Sequence, residues 1–389
     1  MNKVRVGVVG CGGMGSHHLT YLNSVEGAVL AAVCDVDAAK VAKYSAQYGV
    51  PGFSSHKELL DSGTCDMVMI ATPHYGHPIV TRDAFAKGLH VLSEKPIAVD
   101  VKEARITNEL YKSKYADKLK FGVMFQMRTN SHLKKIKELI ADGELGELFR
   151  MTWLVTDWFR TWTYYASGGW RATWKGEGGG VMINQCPHNM DQLQWLLGGM
   201  MPSRVTAVAQ VAKRHPIEVE DEMNAILEYP NGMIAHFITT TGEAPGTNRL
   251  EFAGDRGKLV LERGKLTFFR TRKSVTDVLQ SSPESFANVE TWECDIPLPR
   301  AVESHMVITQ NFVNSILKGE PLIAEGVDGV KGLELGNAMM LSGLMRKPVD
   351  LPVNGDEYQQ FLQDMAVRYS GKKTIGERKA IVNMGSSFK

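Results

Sequence analysis

The chain has 389 residues, 44 basic against 43 acidic for a formal net charge of +1, with 43% hydrophobic and 22% charged residues. That length allows two or three domains whose cores need no disulfide or metal staple, and the balanced charge excludes a polybasic nucleic-acid or membrane binder. Five scattered cysteines, none in a Cys-x-x-Cys pair, exclude a disulfide framework and a structural zinc site. The first third then alternates short apolar runs with helical patterns. Val4–Val9 ends in glycines and leads into a helix reaching about Asn23. Val29–Val33, Met67–Ala71, His90–Leu92 and Lys120–Phe125 are further runs, with helices over Ala38–Tyr48, Pro78–Lys87 and Val101–Tyr115. Continuously apolar strands alternating with helices predict βαβ units and a parallel sheet covered on both faces.

After about Phe125 the pattern changes. A helix over Ser131–Asp142 precedes strands at Leu148–Leu154, Arg204–Gln210, Met223–Tyr229, Met233–Thr240, Leu250–Ala253, Lys258–Leu261 and Lys265–Arg270. Pro230-Asn231-Gly232 and Arg263-Gly264 are hairpin turns, so this sheet is expected to be mostly antiparallel. One helix is expected from Gly180 to Leu197 and another over Met306–Leu317. The expected division is residues 1–126, 127–355 and a polar C-terminal extension, 356–389, with few apolar anchors. No stretch of about 18 uncharged apolar residues occurs, and the N-terminus lacks the apolar core of a secretory leader. A cytoplasmic protein without a membrane span is expected.

Three motifs carry chemistry. Gly10-Cys11-Gly12-Gly13-Met14-Gly15 follows a strand and opens a helix, the context in which G-x-G-x-x-G binds a dinucleotide. Gly10 makes the turn, Gly12 admits the pyrophosphate, Gly15 lets helix and strand approach, and the helix N-terminus attracts phosphate. Asp35 ends the next strand about 20 residues later, where a carboxylate binds ribose hydroxyls and repels a 2′-phosphate, favouring NAD over NADP. Ala71-Thr72-Pro73-His74-Tyr75-Gly76-His77 and His90-Val91-Leu92-Ser93-Glu94-Lys95-Pro96 end two more strands at the same sheet edge. In the expected Gly180–Leu197 helix, Asn184, His188, Asp191 and Gln192 form one polar face directed at a cleft.

The combination of VGVVGCGGMG, IATPHYGHP, HVLSEKPIAV and GEGGGVMINQCPHNMDQLQWLLGG resembles the Gfo/Idh/MocA oxidoreductases over residues 1 to about 350. The resemblance implies an N-terminal Rossmann domain and a C-terminal α/β domain with a large open sheet. It implies NAD(P)-linked oxidation or reduction of sugars, cyclitols and related polyols. Lys95 matches the family's acid/base lysine, which touches the nicotinamide, and the bond into Pro96 is often cis. His188 matches the histidine that acts on the substrate hydroxyl. Asn184 stands where many members have aspartate, and His74 where asparagine is commoner. Trp170-Arg171 matches a segment that often meets the cofactor.

The expected catalytic residues are therefore Lys95, His188 and Asn184. The expected cofactor residues are Gly10, Gly12, Gly13, Met14, Asp35, Thr72, Pro73, His74, His77, Glu94, Lys95, Trp170 and Arg171. Five of seven tryptophans, Trp153, Trp158, Trp162, Trp170 and Trp174, crowd into one segment expected to cross the cleft mouth. There Trp158, Arg160 and Trp162 should stack on and bind a sugar ring beside Lys95, Asn184 and His188. No metal is expected. The reading is an NAD-dependent oxidoreductase acting on a secondary alcohol of a sugar, glycoside or cyclitol. Its rivals are a redox glycosidase with the same residues, a non-catalytic NAD-sensing protein, and a reductase running the reaction backwards. An uncovered sheet face would favour a homodimer or homotetramer.

Overall fold

A computed structural model describes residues 3–299 and 303–376. Six strands, β1 Val4–Val9, β2 Ala28–Cys34, β3 Gly52–Phe53, β4 Met67–Ile70, β5 His90–Ser93 and β6 Phe121–Val123, form a sheet in the order β3-β2-β1-β4-β5-β6. Every pairing is parallel, as continuous burial on both faces demands. The order reverses between β1 and β4, and ligands of such sheets lie at the carboxyl ends of the strands flanking that point.

The second sheet contains β7 Leu148–Val155, β8 Arg204–Val211, β9 Glu220–Glu228, β10 Ile234–Thr240, β11 Asn248–Gly254, β12 Gly257–Glu262, β13 Lys265–Thr271, β14 Thr291–Asp295 and β15 Val349–Asp350. It is antiparallel except for β7 against β10, which run parallel. Both expected hairpins form, and Arg263 and Gly264 supply the positive φ angles that a tight two-residue turn requires. One face of this sheet carries the core, with Met151, Trp153, Phe237, Phe252 and Leu259 buried beneath helices. The other face leaves Phe149, Val208, Ile226 and Ile234 exposed.

Two expectations change, and one long helix is new. Gly180–Leu197 is two helices, Val181–Asn184 and Pro187–Trp195, because Pro187 cannot supply an amide to a continuous helix and fits instead at the start of the second. The segment beyond 355 carries a helix, Gly355–Arg368, whose Tyr358, Phe361, Leu362 and Met365 are buried in the second core. The expected polar extension is anchored by this helix and past it, where Lys373 donates to the Arg171 carbonyl and Ile375 packs on the second core, and 377–389 lie outside the described residues. A long helix, Gly329–Met345, unremarked in the sequence, fills the centre of the second domain because its apolar residues run all round it. The helix His305–Leu317 returns to the first sheet, placing Ile308, Phe312 and Val313 in a core with Val4, Val6, Leu19 and Met67. Gln310 secures it by exchanging hydrogen bonds with the backbone of Glu26.

Candidate functional site

The glycine loop after β1 is built for close approach. Gly10 sits at φ +94°, and a Cβ there would lie 2.5 Å from the Ala71 carbonyl oxygen. A Cβ on Gly15 would lie 1.7 Å from the Gly10 carbonyl oxygen, so only glycine lets the helix start this close to the strand. A Cβ on Gly12 would meet nothing within 4 Å, which leaves its backbone open to a ligand. Gly13 and Met14 begin the helix Gly13–Tyr21, whose first amides have no acceptor within the helix. Asp35 closes the loop from the side: Oδ2 accepts the Cys11 amide at 2.7 Å and Oδ1 the Asp37 amide at 2.9 Å. These contacts fix the carboxylate at the mouth of the glycine turn. The residues fit a dinucleotide there.

At the ends of β4 and β5 the expected residues separate into two groups. Thr72 keeps a buried hydroxyl with no partner among the described residues, beside the exposed Pro73. His74 is buried, its Nδ1 3.0 Å from the Glu177 carbonyl and its ring 5.4 Å from that of Trp170. The 167–171 loop therefore lies against the end of β4. His77 is different. Its two nitrogens face the carbonyls of Pro96 and Thr72 at 2.6 and 2.8 Å, so the ring clamps backbone and has no nitrogen left for a cofactor. Glu94 is likewise taken, by His18 Nε2 at 2.8 Å and by the Lys95 amide at 3.2 Å. Against the opposing effect of burial, the hydrogen bond and charge of His18, with the charges of His305 and Lys95, hold its carboxyl down at about 2.

The Lys95–Pro96 bond is cis. Lys95 Nζ donates to the backbone carbonyl of Asn184 at 2.9 Å, across the two domains. Its side chain still touches solvent, but the protein packed around it disfavours the ammonium and lowers its pKa. Glu94 opposes that effect and Arg171 adds to it. The side chain of Asn184, expected to hold substrate, is committed elsewhere. Its Nδ2 donates to Glu177, and its Oδ1 accepts from the Tyr164 hydroxyl at 3.2 Å. Arg171 joins the same network, donating to the Tyr164 hydroxyl at 2.7 Å and lying 3.4 Å from Glu177, so its guanidinium is largely spent on protein. Tyr164 and Glu177 were not legible as site residues, although Glu177 stands just before the three glycines that precede Asn184.

His188 is buried, with Nδ1 lacking any partner among the described residues and Nε2 2.9 Å from Gln126 Nε2. Burial, then Lys95, keeps this imidazole neutral well below the ordinary histidine range. The expected polar face does not continue beyond it. Asp191 is fully buried and takes a two-pronged ion pair from Arg128 at 2.6 and 2.9 Å, while Gln192 and Gln194 also donate to it. That stripe is a structural ion pair starting one turn past the site. At the base of Val181–Asn184, Glu220 accepts the amides of Gly180 and Met182, and burial pushes its carboxyl up to about 7.

The tryptophans divide. Trp153 and Trp174 are core residues, and the Trp174 indole donates to the Glu218 carbonyl at 2.6 Å. Trp158 packs on the second core with a buried indole N–H that has no partner among the described residues. Arg160 lies over both its ring and that of Tyr164, at 5.5 and 5.2 Å, which links Trp158 to the Lys95–Asn184 contact. Trp162 is 48% exposed at the rim. Among the described residues no cluster fits a metal ion, and no helix is long and apolar enough to cross a membrane.

Comparison with known proteins places the chain in a family. Residues 4–117 match a family described as an oxidoreductase family with an NAD-binding Rossmann fold, and residues 133–260 match the GFO/IDH/MocA C-terminal domain. An inositol 2-dehydrogenase of Leifsonia xyli subsp. xyli is 28% identical, over 59% of this chain and 64% of the relative. The rhizopine catabolism protein MocA of Rhizobium meliloti is 31% identical, over 51% and 58%. Each match spans less than two thirds of the relative's own length. The WlbA dehydrogenase of Bordetella pertussis, solved with NADH and UDP-GlcNAcA, superposes with a TM-score of 0.75 at 25% identity, over 90% of this chain and 100% of that one.

Proposed function

Because the chain belongs to the Gfo/Idh/MocA oxidoreductases, with an NAD-binding Rossmann domain, we propose that it transfers a hydride between NAD and a secondary alcohol of a sugar, glycoside or cyclitol. The observation that carries this reading is the meeting, at the carboxyl edge of the first sheet, of Lys95 with the segment bearing His188, whose buried Nδ1 has no partner among the described residues. Bound NAD supplies the hydride acceptor. The protein's part is to take the hydroxyl proton as the carbinol hydrogen leaves with its electron pair. A lysine whose ammonium form is disfavoured by burial is suited to that step. His188 holds the same or the neighbouring oxygen, and Asn184 acts through its backbone carbonyl by aiming Lys95. The exposed face of the second sheet is the surface through which we propose that copies of the chain assemble.

The test is a screen of sugars, cyclitols and glycosides with NAD, following NADH absorbance and released aglycone together. NADH formed in proportion to substrate supports the dehydrogenase. Aglycone released without net NADH replaces it with the redox glycosidase, and neither signal across the screen overturns both.

Two further outcomes are expected. Asp35→Ser removes the ribose partner and the charge that repels a 2′-phosphate, so the ratio of kcat/KM for NAD over NADP should fall at least about tenfold. The ratio is the proper measure, because the Cys11 amide also loses its acceptor and both cofactors weaken. A parent enzyme that already prefers NADP would refute the role of Asp35. Trp158→Ala should lower kcat/KM on the best substrate about tenfold, roughly 1.4 kcal/mol, with NAD affinity unchanged. Trp162→Ala, at the exposed rim, tests whether the whole loop takes part. Parental kcat/KM in both variants would make the loop purely structural.

A further inference from the structure

We propose that Gln126 is a positioning residue that fixes the tautomer of His188, so that His188 presents an N–H donor to the substrate oxygen and leaves proton removal to Lys95. This deepens the dehydrogenase reading and rests on it.

Gln126 begins the turn Gln126–Thr129 that follows β6, and it is 1% exposed. Its amide nitrogen lies 2.9 Å from His188 Nε2. An amide nitrogen can only donate, so His188 Nε2 must offer its lone pair. In a neutral imidazole the one hydrogen then resides on Nδ1, the buried nitrogen with no partner among the described residues. A nitrogen that already carries hydrogen cannot take the proton of a substrate hydroxyl. It can donate a hydrogen bond to the oxygen as negative charge gathers there, and Lys95 is left as the base.

The contact is preorganised. Thr129 Oγ1 donates to the Gln126 carbonyl at 2.7 Å and tightens the turn. Arg128, two residues along, grips Asp191, three residues after His188 on the helix Pro187–Trp195. The ion pair thus clamps the turn bearing Gln126 to the helix bearing His188, and the Phe125 ring stands edge-on to the imidazole with centroids 6.1 Å apart. The charged and titratable groups around His188 are Lys95 and Glu94 from the end of β5, His305 from the helix His305–Leu317, and the paired Arg128 and Asp191. Lys95 and His305 disfavour the imidazolium and Glu94 favours it, while burial outweighs all three. The ring therefore stays neutral, and its tautomer is the variable that the glutamine sets.

The experiment is nitrogen NMR of the full chain labelled at histidine, with His188 assigned by its loss in His188→Asn. The parent should show hydrogen on Nδ1 at neutral pH. Gln126→Leu should shift that population toward Nε2, and Gln126→Glu, whose carboxylate accepts a hydrogen from Nε2, should shift it further and raise the pH at which the ring protonates. On a substrate found by the screen, Gln126→Glu should lower kcat at least about tenfold near neutral pH, and this deficit against the parent should shrink as pH falls and protonation returns hydrogen to Nδ1. Hydrogen on Nε2 in the parent, an unchanged tautomer in a folded Gln126→Leu, or a parental pH profile in Gln126→Glu would each overturn the proposal. The NMR needs no turnover, so failure of every substrate in the screen would count against the dehydrogenase reading while the tautomer is still decided.

Discussion

Lys95→Ala is expected to retain NAD binding and lose turnover by 10²–10⁴-fold, the contribution typical of one acid/base group, or about 3–5 kcal/mol of barrier. The cause is local. Nζ is held against the Asn184 carbonyl in surroundings that lower its pKa, chiefly by burial. A base acts only when unprotonated, so parental kcat should rise with pH through the lowered lysine pKa and then level off, and this limb should vanish in the variant. Glu94, held down at about 2, stays ionised throughout that range and contributes no limb of its own. Turnover within about threefold of the parent would remove Lys95 from the mechanism. Retained NAD binding, measured by fluorescence titration, separates lost chemistry from a collapsed cofactor site.

The second large effect concerns stability. Arg128→Met should cost on the order of 3–5 kcal/mol, because it leaves the fully buried Asp191 without its cation. Burial already pushes the Asp191 carboxyl up, and Arg128 is the main group opposing that. Without Arg128 the folded-state pKa rises further above the unfolded one. The protein must then either keep an uncompensated charge or bind a proton on folding, so the variant's deficit should grow as pH rises above the ordinary carboxylate range. Thermal unfolding at pH 5 and pH 8 checks both size and sign. For comparison, removal of Lys135, paired with Glu138 on the surface, should cost under about 0.5 kcal/mol. An Arg128→Met loss as small as that would show that the clamp adds nothing to stability.

The same ion pair illustrates what could be read from sequence. Helical spacing correctly placed Asp191 and Gln192 on the side of the helix shared with His188, but periodicity cannot distinguish a cleft from a buried cation. Arg128 lies 63 positions away and approaches from a different element. The first domain was legible because its signals are local: apolar runs, glycines where a Cβ would collide, and an acidic residue at the next strand end. Gly15 is such a case, its requirement fixed by the Gly10 carbonyl five residues back. Glu177, Tyr164 and Gln126 were not legible, since each gains its role from a partner brought by folding. Pro187 was a local signal overlooked, and it decides where the helix under Asn184 ends. The tryptophan cluster was visible, but only its burial pattern separates Trp153 and Trp174, which support the core, from Trp158.

The return of His305–Leu317 to the first sheet bears on how such proteins can be recombined. The dinucleotide-binding half is continuous in space but not along the chain. One of its walls, with Ile308, Phe312 and Val313, is encoded after nearly the whole second sheet. A single crossover near residue 126 would join a Rossmann half to a wall shaped for another core. Exchange of cofactor preference between relatives therefore calls for two crossovers that carry this helix with its own strands. Insertions in the second domain lengthen only the excursion between two parts of one core, which leaves that domain free to diversify while the cofactor-binding half keeps its packing.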